Sequence, residues 1–242
     1  MSVKHNLRKL FWKIGYDITK FDPLVNSIAR RKKLFESYKI NIVLDVGANT
    51  GQFAKQIRND IGYNGKILSF EPVSRAYKFL EIESKKDPKW EVFHYALGEI
   101  DTKRKINISK NLQSSSFLNM LPVHLQAAPM SVYTRNELIK IKTLDSIFEN
   151  VCSNGSNVYL KIDTQGYEER VIKGAEKSLI NIDTIQLEMS LFPLYEGESL
   201  FNEMYNILIK KGYSMVSIEP VFLDQNSGKL MQIDGIFHRF KL

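Results

Sequence analysis

Apolar runs and helical patterns alternate along most of this chain. Ile42-Val43-Leu44 is an apolar run of the kind that forms a buried parallel strand. A glycine-containing turn follows it, then a helical pattern with Phe53 and Ile57 four residues apart, and then a second apolar run over residues 67–70. This order of strand, turn, helix and strand predicts an α/β domain built on a parallel sheet.

The later segments of the chain continue the pattern and complete the sheet. We predict further strands over residues 90–95, 157–162 and 183–188, and helices over about 74–85 and 199–211. Two last strands, over 213–218 and 231–240, are joined by a turn at 226–228. The sequence therefore predicts a single Rossmann-like domain with a mostly parallel seven-stranded sheet and a C-terminal antiparallel hairpin.

Residues 99–143 have the least regular pattern. Strand-like alternation is present only over 105–109 and 138–142, and an insertion of this size in a compact domain is usually functional or disordered. Between the two strands lie the serines at 114–116 and His124. The hydroxyls of Ser115 and Ser116 can bind a sugar or orient a cofactor, or they can cap a helix.

A polar motif, D-x-G-x-N-x-G, follows the first strand at Asp45, Gly47, Asn49 and Gly51. Glycine lets the backbone turn sharply and approach a ligand closely, and the N-terminus of the next helix favours an anionic group. Glu71 follows the second strand, 20 residues after Gly51, where a carboxylate can accept both hydroxyls of a ribose.

The same motif argues against a dinucleotide cofactor. The fingerprint G-x-G-x-x-G requires glycine at positions 49 and 52, where this chain has Asn49 and Gln52. We therefore expect a cofactor without a pyrophosphate that carries an ammonium and a carboxylate. S-adenosylmethionine meets that description.

Three segments carry a family resemblance: LDVGANTGQF at 44–53, FEP at 70–72 and KIDTQGYE at 161–168. In this order they resemble the FkbM family of S-adenosylmethionine-dependent methyltransferases. The resemblance continues through HYALGE, TLDS, QLEMSLFPLYEG and DGIF and covers roughly residues 40–240. It implies the class I methyltransferase fold.

The predicted cofactor site lies at the carboxyl ends of the strands, where ligands bind in open parallel sheets. Asp45, Glu71, Ala96 and Asp163 would then share one rim, and the resemblance implies that Ala96 and Leu97 pack against the adenine. The full set of expected cofactor-binding residues is Asp45, Gly47, Ala48, Asn49, Gly51, Glu71, Pro72, Ala96, Leu97 and Asp163.

Three side chains are candidate catalytic groups. Asp163 and Glu188, at the ends of neighbouring predicted strands, offer hard oxygen ligands for a divalent cation such as Mg²⁺. Asp163 can instead act as a base or contact the ammonium of the cofactor. His238 is a third candidate base, although a lone histidine on a last strand is more often structural. We expect the substrate to contact Ser115, Ser116, His124 and Tyr195.

The resemblance implies an O-methyltransferase that acts on a sugar hydroxyl, in a glycan or a glycosylated metabolite. The alternatives are a methyltransferase of RNA or of another small molecule, and a non-catalytic cofactor-binding protein. The chain lacks both the Asn-Pro-Pro-Tyr type of motif and a dedicated nucleic-acid module. The intact motif residues argue against a non-catalytic protein.

Charge and length divide the chain into two parts. Its 242 residues carry a formal net charge of +7, much of it at 4–13 and 30–33. Leu7, Leu10, Phe11 and Ile14 mark one helical face with basic residues around it. We predict a helical extension over 1–38, a lid or a docking arm, and a methyltransferase domain over 39–242. The basic residues are either a solvated face or a contact for an acidic surface such as an anionic membrane.

Cysteine usage bears on the compartment. Cys152 is the single cysteine, which excludes an internal disulfide and a cysteine-based zinc site. No apolar run approaches the roughly 20 residues of a membrane span. The short apolar run at residues 10–12 does not indicate a signal peptide, because Lys13 follows it directly. We expect a cytoplasmic protein, with peripheral membrane contact through the basic N-terminal helix as a further option.

Overall fold

Two helices precede the first strand in the computed structural model, which describes residues 3–152 and 155–240. They are α1 (Val3–Trp12) and α2 (Ser27–Ser37). The side chain of Asn26 caps α2 by accepting the N–H of Ala29 at 2.9 Å. This cap explains why the helix begins at Ser27.

Strands and helices then alternate along the chain. In order they are β1 (Ile42–Val46), α3 (Gln52–Gln56), β2 (Lys66–Phe70), α4 (Ser74–Ser84), β3 (Trp90–Phe93), β4 (Ala96–Leu97), β5 (Thr102–Ser109), α5 (Pro122–Ala127), β6 (Tyr133–Lys142), α6 (Leu144–Val151), β7 (Val158–Ile162), α7 (Glu168–Lys173), β8 (Thr184–Ser190), α8 (Phe201–Lys210), β9 (Ser214–Leu223) and β10 (Leu230–His238). A π-helical turn, Ile57–Ile61, continues α3. No helix in these described residues is long and apolar enough to cross a bilayer.

The main sheet has seven strands within the described residues, in the order β3-β2-β1-β7-β8-β10-β9. The first five are parallel, and β10 runs antiparallel to both of its neighbours. From β1 the chain first builds one side of the sheet and then crosses to β7 on the other side, which makes the β1–β7 boundary a topological switch point. The predicted fold, a mostly parallel seven-stranded sheet with a closing hairpin, is confirmed.

Apolar layers cover both faces of the sheet, which explains the continuous apolar runs of its central strands. Leu44 and Leu160 face one core, and Val43 and Tyr159 face the other. Phe35 of α2 belongs to the second core, with its ring centroid 4.7 Å from that of Tyr159. The second N-terminal helix is therefore packed onto the sheet.

Residues 99–143 are more regular than their pattern predicted. β4, β6 and β5 form a separate sheet, in which β5 and β6 pair antiparallel and β4 pairs parallel with β6. β3 ends at Phe93, before the predicted residue 95, because the chain leaves the main sheet here to form β4. The buried positions of β5 are Ile106, Ile108 and Ser109, and the four residues before them are exposed. The alternating pattern in the sequence therefore covers only the second half of the strand.

The closing hairpin extends the fifth predicted strand. β8 continues to Ser190 because β10 pairs with it from Gln232↔Ser190 to His238↔Thr184. Glu188 therefore lies inside a strand rather than at its tip. Asp234 of β10 is directly opposite Glu188 in this register, and the hairpin adds it to the rim of the sheet.

Candidate active site

A cavity of about 700 Å³ opens at the carboxyl ends of β1, β2, β7 and β8. This is the switch-point position at which open α/β sheets bind ligands. The small sheet, α2 and the hairpin of β9 and β10 supply the other walls. Eleven predicted residues are in the lining: Gly47, Ala48, Asn49, Glu71, Pro72, Ala96, Leu97, Ser115, His124, Asp163 and Glu188.

The turn after β1 brings the backbone against the tip of β7. Gly47 has φ +80°, and a Cβ added there would lie 1.8 Å from the backbone oxygen of Asp163. Gly51 has φ +82°, and its added Cβ would lie 2.6 Å from the ring of Trp90. Gly47 therefore shapes the cavity, whereas Gly51 packs the turn onto the core.

Glu71 presents a buried carboxylate at the end of β2. Its Oε2 accepts the N–H of Asn49 and its Oε1 accepts the N–H of Val73, both at 2.7 Å. Burial raises the pKa of Glu71 to about 7, although these two backbone hydrogen bonds oppose the shift. Each oxygen keeps a lone pair, so the carboxylate can accept two further hydroxyl donors.

Lys161 of β7 is a buried cation that sequence reasoning did not single out. Its Nζ lies 3.1 Å from Asp163 Oδ2 and 3.6 Å from Asp45 Oδ1. Burial alone would lower the pKa of Lys161, but Asp163 and Asp45 raise it above its usual value. Asp45 is fully buried and outside the cavity lining, so its role is to hold Lys161. The sequence does contain a signal for this residue, because a lysine is unusual within an otherwise apolar strand.

Gln165 connects the two candidate catalytic carboxylates. Its Nε2 donates to Asp163 Oδ1 at 2.9 Å and to Glu188 Oε2 at 2.7 Å. Its Oε1 accepts the hydroxyl of Tyr195 at 2.7 Å, and its backbone oxygen accepts the hydroxyl of Ser116 at 2.6 Å. Tyr195 and Ser116 are buried outside the cavity lining, so they hold Gln165 rather than facing a substrate.

Glu188 is a buried carboxylate in the cavity lining. Burial raises its pKa well above the usual value, and the charges of Asp163 and Asp234 raise it further. Gln165 and Gln232 both donate to Oε2, at 2.7 and 3.0 Å, and neither bond involves Oε1. A base with a raised pKa and a free oxygen is suited to taking a proton near neutral pH.

Asp234 lies opposite Glu188 and was not predicted as a site residue, although it begins the DGIF motif. Burial, and then the charge of Asp163, raise the pKa of Asp234 to about 6. Gln186 Nε2 donates to Asp234 Oδ2 at 2.6 Å, and Tyr159 fixes that amide by donating to its Oε1 at 2.6 Å. Two carboxylates directly opposite each other repel, which favours the protonated form of each.

The geometry gives no support to the predicted metal pair of Asp163 and Glu188. The amide NH₂ of Gln165 lies between the two carboxylates, and the hydroxyl of Tyr195 on its Oε1 fixes that orientation. A hydrogen-bond donor thus occupies the position that a bridging cation would take. Across the described residues, no group of three or more His, Cys, Asp and Glu is arranged to hold a metal ion.

His124 and Ser115 reach the cavity from the segment between β5 and β6. His124 is buried between Tyr195 and Phe222, and its Nδ1 has no hydrogen-bond partner in the described structure. Burial lowers the pKa of His124 to about 4, so the ring is neutral near pH 7. The hydroxyl of Ser115 donates to the backbone oxygen of Leu112 at 2.9 Å.

His238 is at the wrong end of the sheet to act as a base. It pairs with Thr184, the first residue of β8, because β10 runs antiparallel to β8. Its ring stacks on Tyr38 with the centroids 3.6 Å apart, and its Nδ1 lies 2.9 Å from the hydroxyl oxygen of Thr184. The position contradicts the predicted catalytic role and indicates a structural one.

Arg31 and Glu219 form a buried ion pair in the cavity wall. Arg31 comes from α2, and its Nη1 also donates to Gln56 Oε1 at 2.9 Å. Glu219 comes from β9. Sequence reasoning missed both residues because Arg31 stands in a basic run that resembles a solvated surface. No local pattern marks the distant Glu219 as its partner.

The buried carboxylates predict an unusual pH dependence of stability. Burial raises the pKa of both Glu71 and Glu168 from the ordinary 4.5 to about 7. Between these values the folded protein binds more protons than the unfolded chain, so stability falls as the pH rises through this window. We expect a loss on the order of 3 kcal/mol per group in the free energy of urea unfolding without ligands.

Glu168→Gln tests the assignment. Glu168 Oε1 accepts the N–H of Thr164 at 2.7 Å, a bond that a glutamine oxygen can keep. We expect this variant to flatten the pH dependence, whereas Glu149→Gln, at an exposed position, leaves it unchanged. Equal curves for the wild type and Glu168→Gln would contradict the raised pKa.

Comparison with known proteins gives a family match. The model of the methyltransferase FkbM domain matches residues 45–215. Among solved structures, methyltransferase FkbM from Methylobacillus flagellatus KT superposes with a TM-score of 0.51 at 12% identity, covering 81% of this chain. The match covers 43% of that protein, so the present chain spans less than half of its length. At this identity the likeness shows the fold alone.

Two further structures are similar at lower scores. An rRNA methylase from Streptococcus thermophilus has a TM-score of 0.49 at 8% identity, with 89% of this chain and 98% of that chain covered. TehB from Haemophilus influenzae has a TM-score of 0.48 at 9% identity, with 88% and 62% covered. We draw no conclusion from these two scores. The comparison with curated proteins found no match.

The match to the FkbM domain model, over residues 45–215, covers more than half of the chain. This protein therefore belongs to the FkbM methyltransferase family.

Proposed function

We propose that the protein is an S-adenosylmethionine-dependent O-methyltransferase that methylates a sugar hydroxyl in a glycan or a glycosylated metabolite. Family membership supports the methyl transfer. The observation that supports O-methylation is Glu188, a buried carboxylate with a raised pKa in the cavity that Glu71 also lines. When bound, S-adenosylmethionine supplies an electrophilic methyl group.

The described residues fit this cofactor. Glu71 can accept two ribose hydroxyls because each of its oxygens has only one backbone donor. Ala96 and Leu97 offer a buried apolar surface for the adenine. The turn at Gly47 borders the cavity and packs so closely on the backbone of Asp163 that a Cβ would not fit. We assign the ammonium to Asp163, whose backbone adjoins that turn.

Glu188 is the base in this proposal. An alcohol keeps its proton near neutral pH, so methylation requires a group that removes the proton as the new bond forms. Gln165 and Gln232 hold one carboxylate oxygen of Glu188, which leaves Oε1 to accept the proton. Asp163 is less suited because its carboxylate is already paired with Lys161, whose Nζ lies 3.1 Å away. A divalent cation has no part in the proposal.

The polar groups near Glu188 support a hydroxylated, uncharged acceptor. Gln165, Gln186 and Gln232 line the cavity, and the amide oxygens of Gln165 and Gln186, which each accept one tyrosine hydroxyl, keep a second lone pair for a sugar hydroxyl. The lining has more acidic than basic side chains. The acidic ones are Glu71, Asp163, Glu188, Glu219 and Asp234, and the basic ones are Arg31 and Lys161. This excess of acidic groups disfavours binding of the phosphate backbone of RNA.

We also propose a cytoplasmic location, where the buried Cys152 remains a thiol.

The proposal is tested by following a labelled methyl group from S-adenosylmethionine. We expect transfer to a mixture of bacterial glycans and nucleotide sugars, and no transfer to bulk RNA. Glu71→Ala should remove both the transfer and the calorimetric binding of S-adenosylhomocysteine, since it deletes the ribose contact. Glu91→Ala, a surface change, is the matched control. Labelled RNA without labelled glycan would contradict the acceptor class, and no binding to the wild type would contradict the cofactor.

A further inference from the structure

The N-terminal arm, residues 3–26, exposes an unusual amount of apolar surface. Nine of its large apolar side chains are between 47% and 84% exposed: Leu7, Leu10, Trp12, Ile14, Tyr16, Ile18, Phe21, Leu24 and Val25. On α1, Leu7 and Leu10 share one face, and Lys9 is on another. Exposed apolar surface of this extent marks an interaction site in a folded protein.

The arm is held in shape by its own contacts. Arg8 donates to both carboxylate oxygens of Asp17, at 2.5 and 2.6 Å, and Trp12 Nε1 donates to the same carboxylate at 2.9 Å. In the described part of the chain, no hydrogen bond or ion pair joins residues 5–20 to residues beyond 26. The apolar side chains of the arm are exposed, so the domain does not cover them either.

The charge of the arm favours an anionic partner. The segment from 3 to 26 contains five lysines and arginines against two aspartates, and one of those aspartates is neutralised by Arg8. Lys9 and Lys13 are exposed. A helix with an apolar face, flanking basic residues and a tryptophan at its boundary has the features of a segment that lies in a membrane interface.

The arm also leads directly to the cavity. It joins α2 at Asn26, and the next two residues, Ser27 and Ile28, are in the cavity lining. A surface bound to the arm would therefore be connected to the cavity mouth through α2, which is packed on the core by Phe35. An arm that only shielded the cofactor would not require an exposed apolar face.

We propose that the N-terminal arm docks the enzyme onto an anionic membrane surface. The apolar side chains enter the interface between headgroups and acyl chains, and the lysines pair with anionic headgroups. This docking does not depend on which acceptor is methylated. A second copy of the chain or a protein partner would have to match the same basic apolar segment, and the charge favours the lipid surface.

Co-sedimentation of the full-length protein with vesicles tests the proposal. We expect binding to vesicles of phosphatidylcholine and phosphatidylglycerol, and at least about tenfold weaker binding to phosphatidylcholine alone. Leu10→Ser with Trp12→Ser should weaken binding to the anionic vesicles by roughly tenfold or more, because two interfacial anchors are lost. Lys9→Glu with Lys13→Glu should weaken it to a similar extent, and added salt should mimic this loss.

Matched variants at the C-terminal end of α4 and just after it, called the α4 variants, separate docking from general surface effects. Phe79→Ser with Ile82→Ser removes two exposed apolar side chains, and Lys85→Glu with Lys86→Glu reverses two exposed charges. We expect both to bind vesicles like the wild type. The proposal is overturned if the wild type stays in the supernatant, if the arm and α4 variants weaken binding equally, or if the arm variants instead dissociate a dimer.

Discussion

Replacing Glu188 with glutamine is expected to lower kcat by roughly 100- to 10,000-fold, the usual contribution of a general base. The amide keeps the shape of the side chain but cannot take the proton of the acceptor. Binding of S-adenosylhomocysteine should be unchanged, since the ribose contact is at Glu71. Single-turnover methyl transfer and calorimetry on the same variant give the two readouts.

Asp234→Asn is the informative companion to this variant. The charge of Asp234 is one of the groups that raise the pKa of Glu188, so its removal should lower that pKa. Because Glu188 must be deprotonated to act, the acid limb of the pH–rate profile should shift to lower pH, with kcat retained above it. Full turnover by Glu188→Gln, or an unshifted profile in Asp234→Asn, would show that another group is the base.

Gly47→Ala is expected to abolish cofactor binding and to destabilise the fold by about 3 kcal/mol or more. The substitution combines a left-handed backbone with a Cβ that would lie 1.8 Å from the backbone oxygen of Asp163. Relieving that overlap must separate the β1 turn from the tip of β7. This widens the part of the cavity around Gly47 and Glu71 in which we propose that the cofactor binds, the cofactor half. Urea unfolding and titration with S-adenosylhomocysteine measure the two effects.

Gly62→Ala provides a matched control for the backbone effect. Gly62 has φ +76°, close to that of Gly47, but an added Cβ there has nothing within 4 Å. We expect this variant to lose only about 1 kcal/mol of stability and to bind ligand normally. If the two variants behave alike, the close approach at Gly47 has no role in the site.

The cofactor half of the cavity could be predicted from the sequence because a parallel sheet places all of its strand ends at one edge. Glu71 and Gly47 each follow an apolar run within a few residues of the sequence, so a short stretch of sequence is enough to identify them. The difference between Gly47, which shapes the cavity, and Gly51, which packs against Trp90, depends on tertiary contacts. Spacing alone therefore predicted the turn but not the distinct role of each glycine.

The part of the cavity around Glu188, where we propose that the acceptor binds, could not be predicted in the same way. The position of Asp234 opposite Glu188 follows from the register of an antiparallel pair, and the same register moves His238 to the far edge. Ser116 and Tyr195 belong to polar motifs, yet their hydroxyls are used to fix Gln165. The sequence shows that these side chains can form hydrogen bonds, but only the fold shows that Gln165 is their partner.

The buried pair of Arg31 and Glu219 has a consequence for how relatives of this enzyme diverge. Both residues lie outside the matched range of 45–215, near opposite ends of the chain. Loss of either partner would leave the other as an uncompensated buried charge, at a cost of about 3–5 kcal/mol. We therefore expect these two positions to covary among homologues, so that the first helices and the last hairpin evolve as one unit.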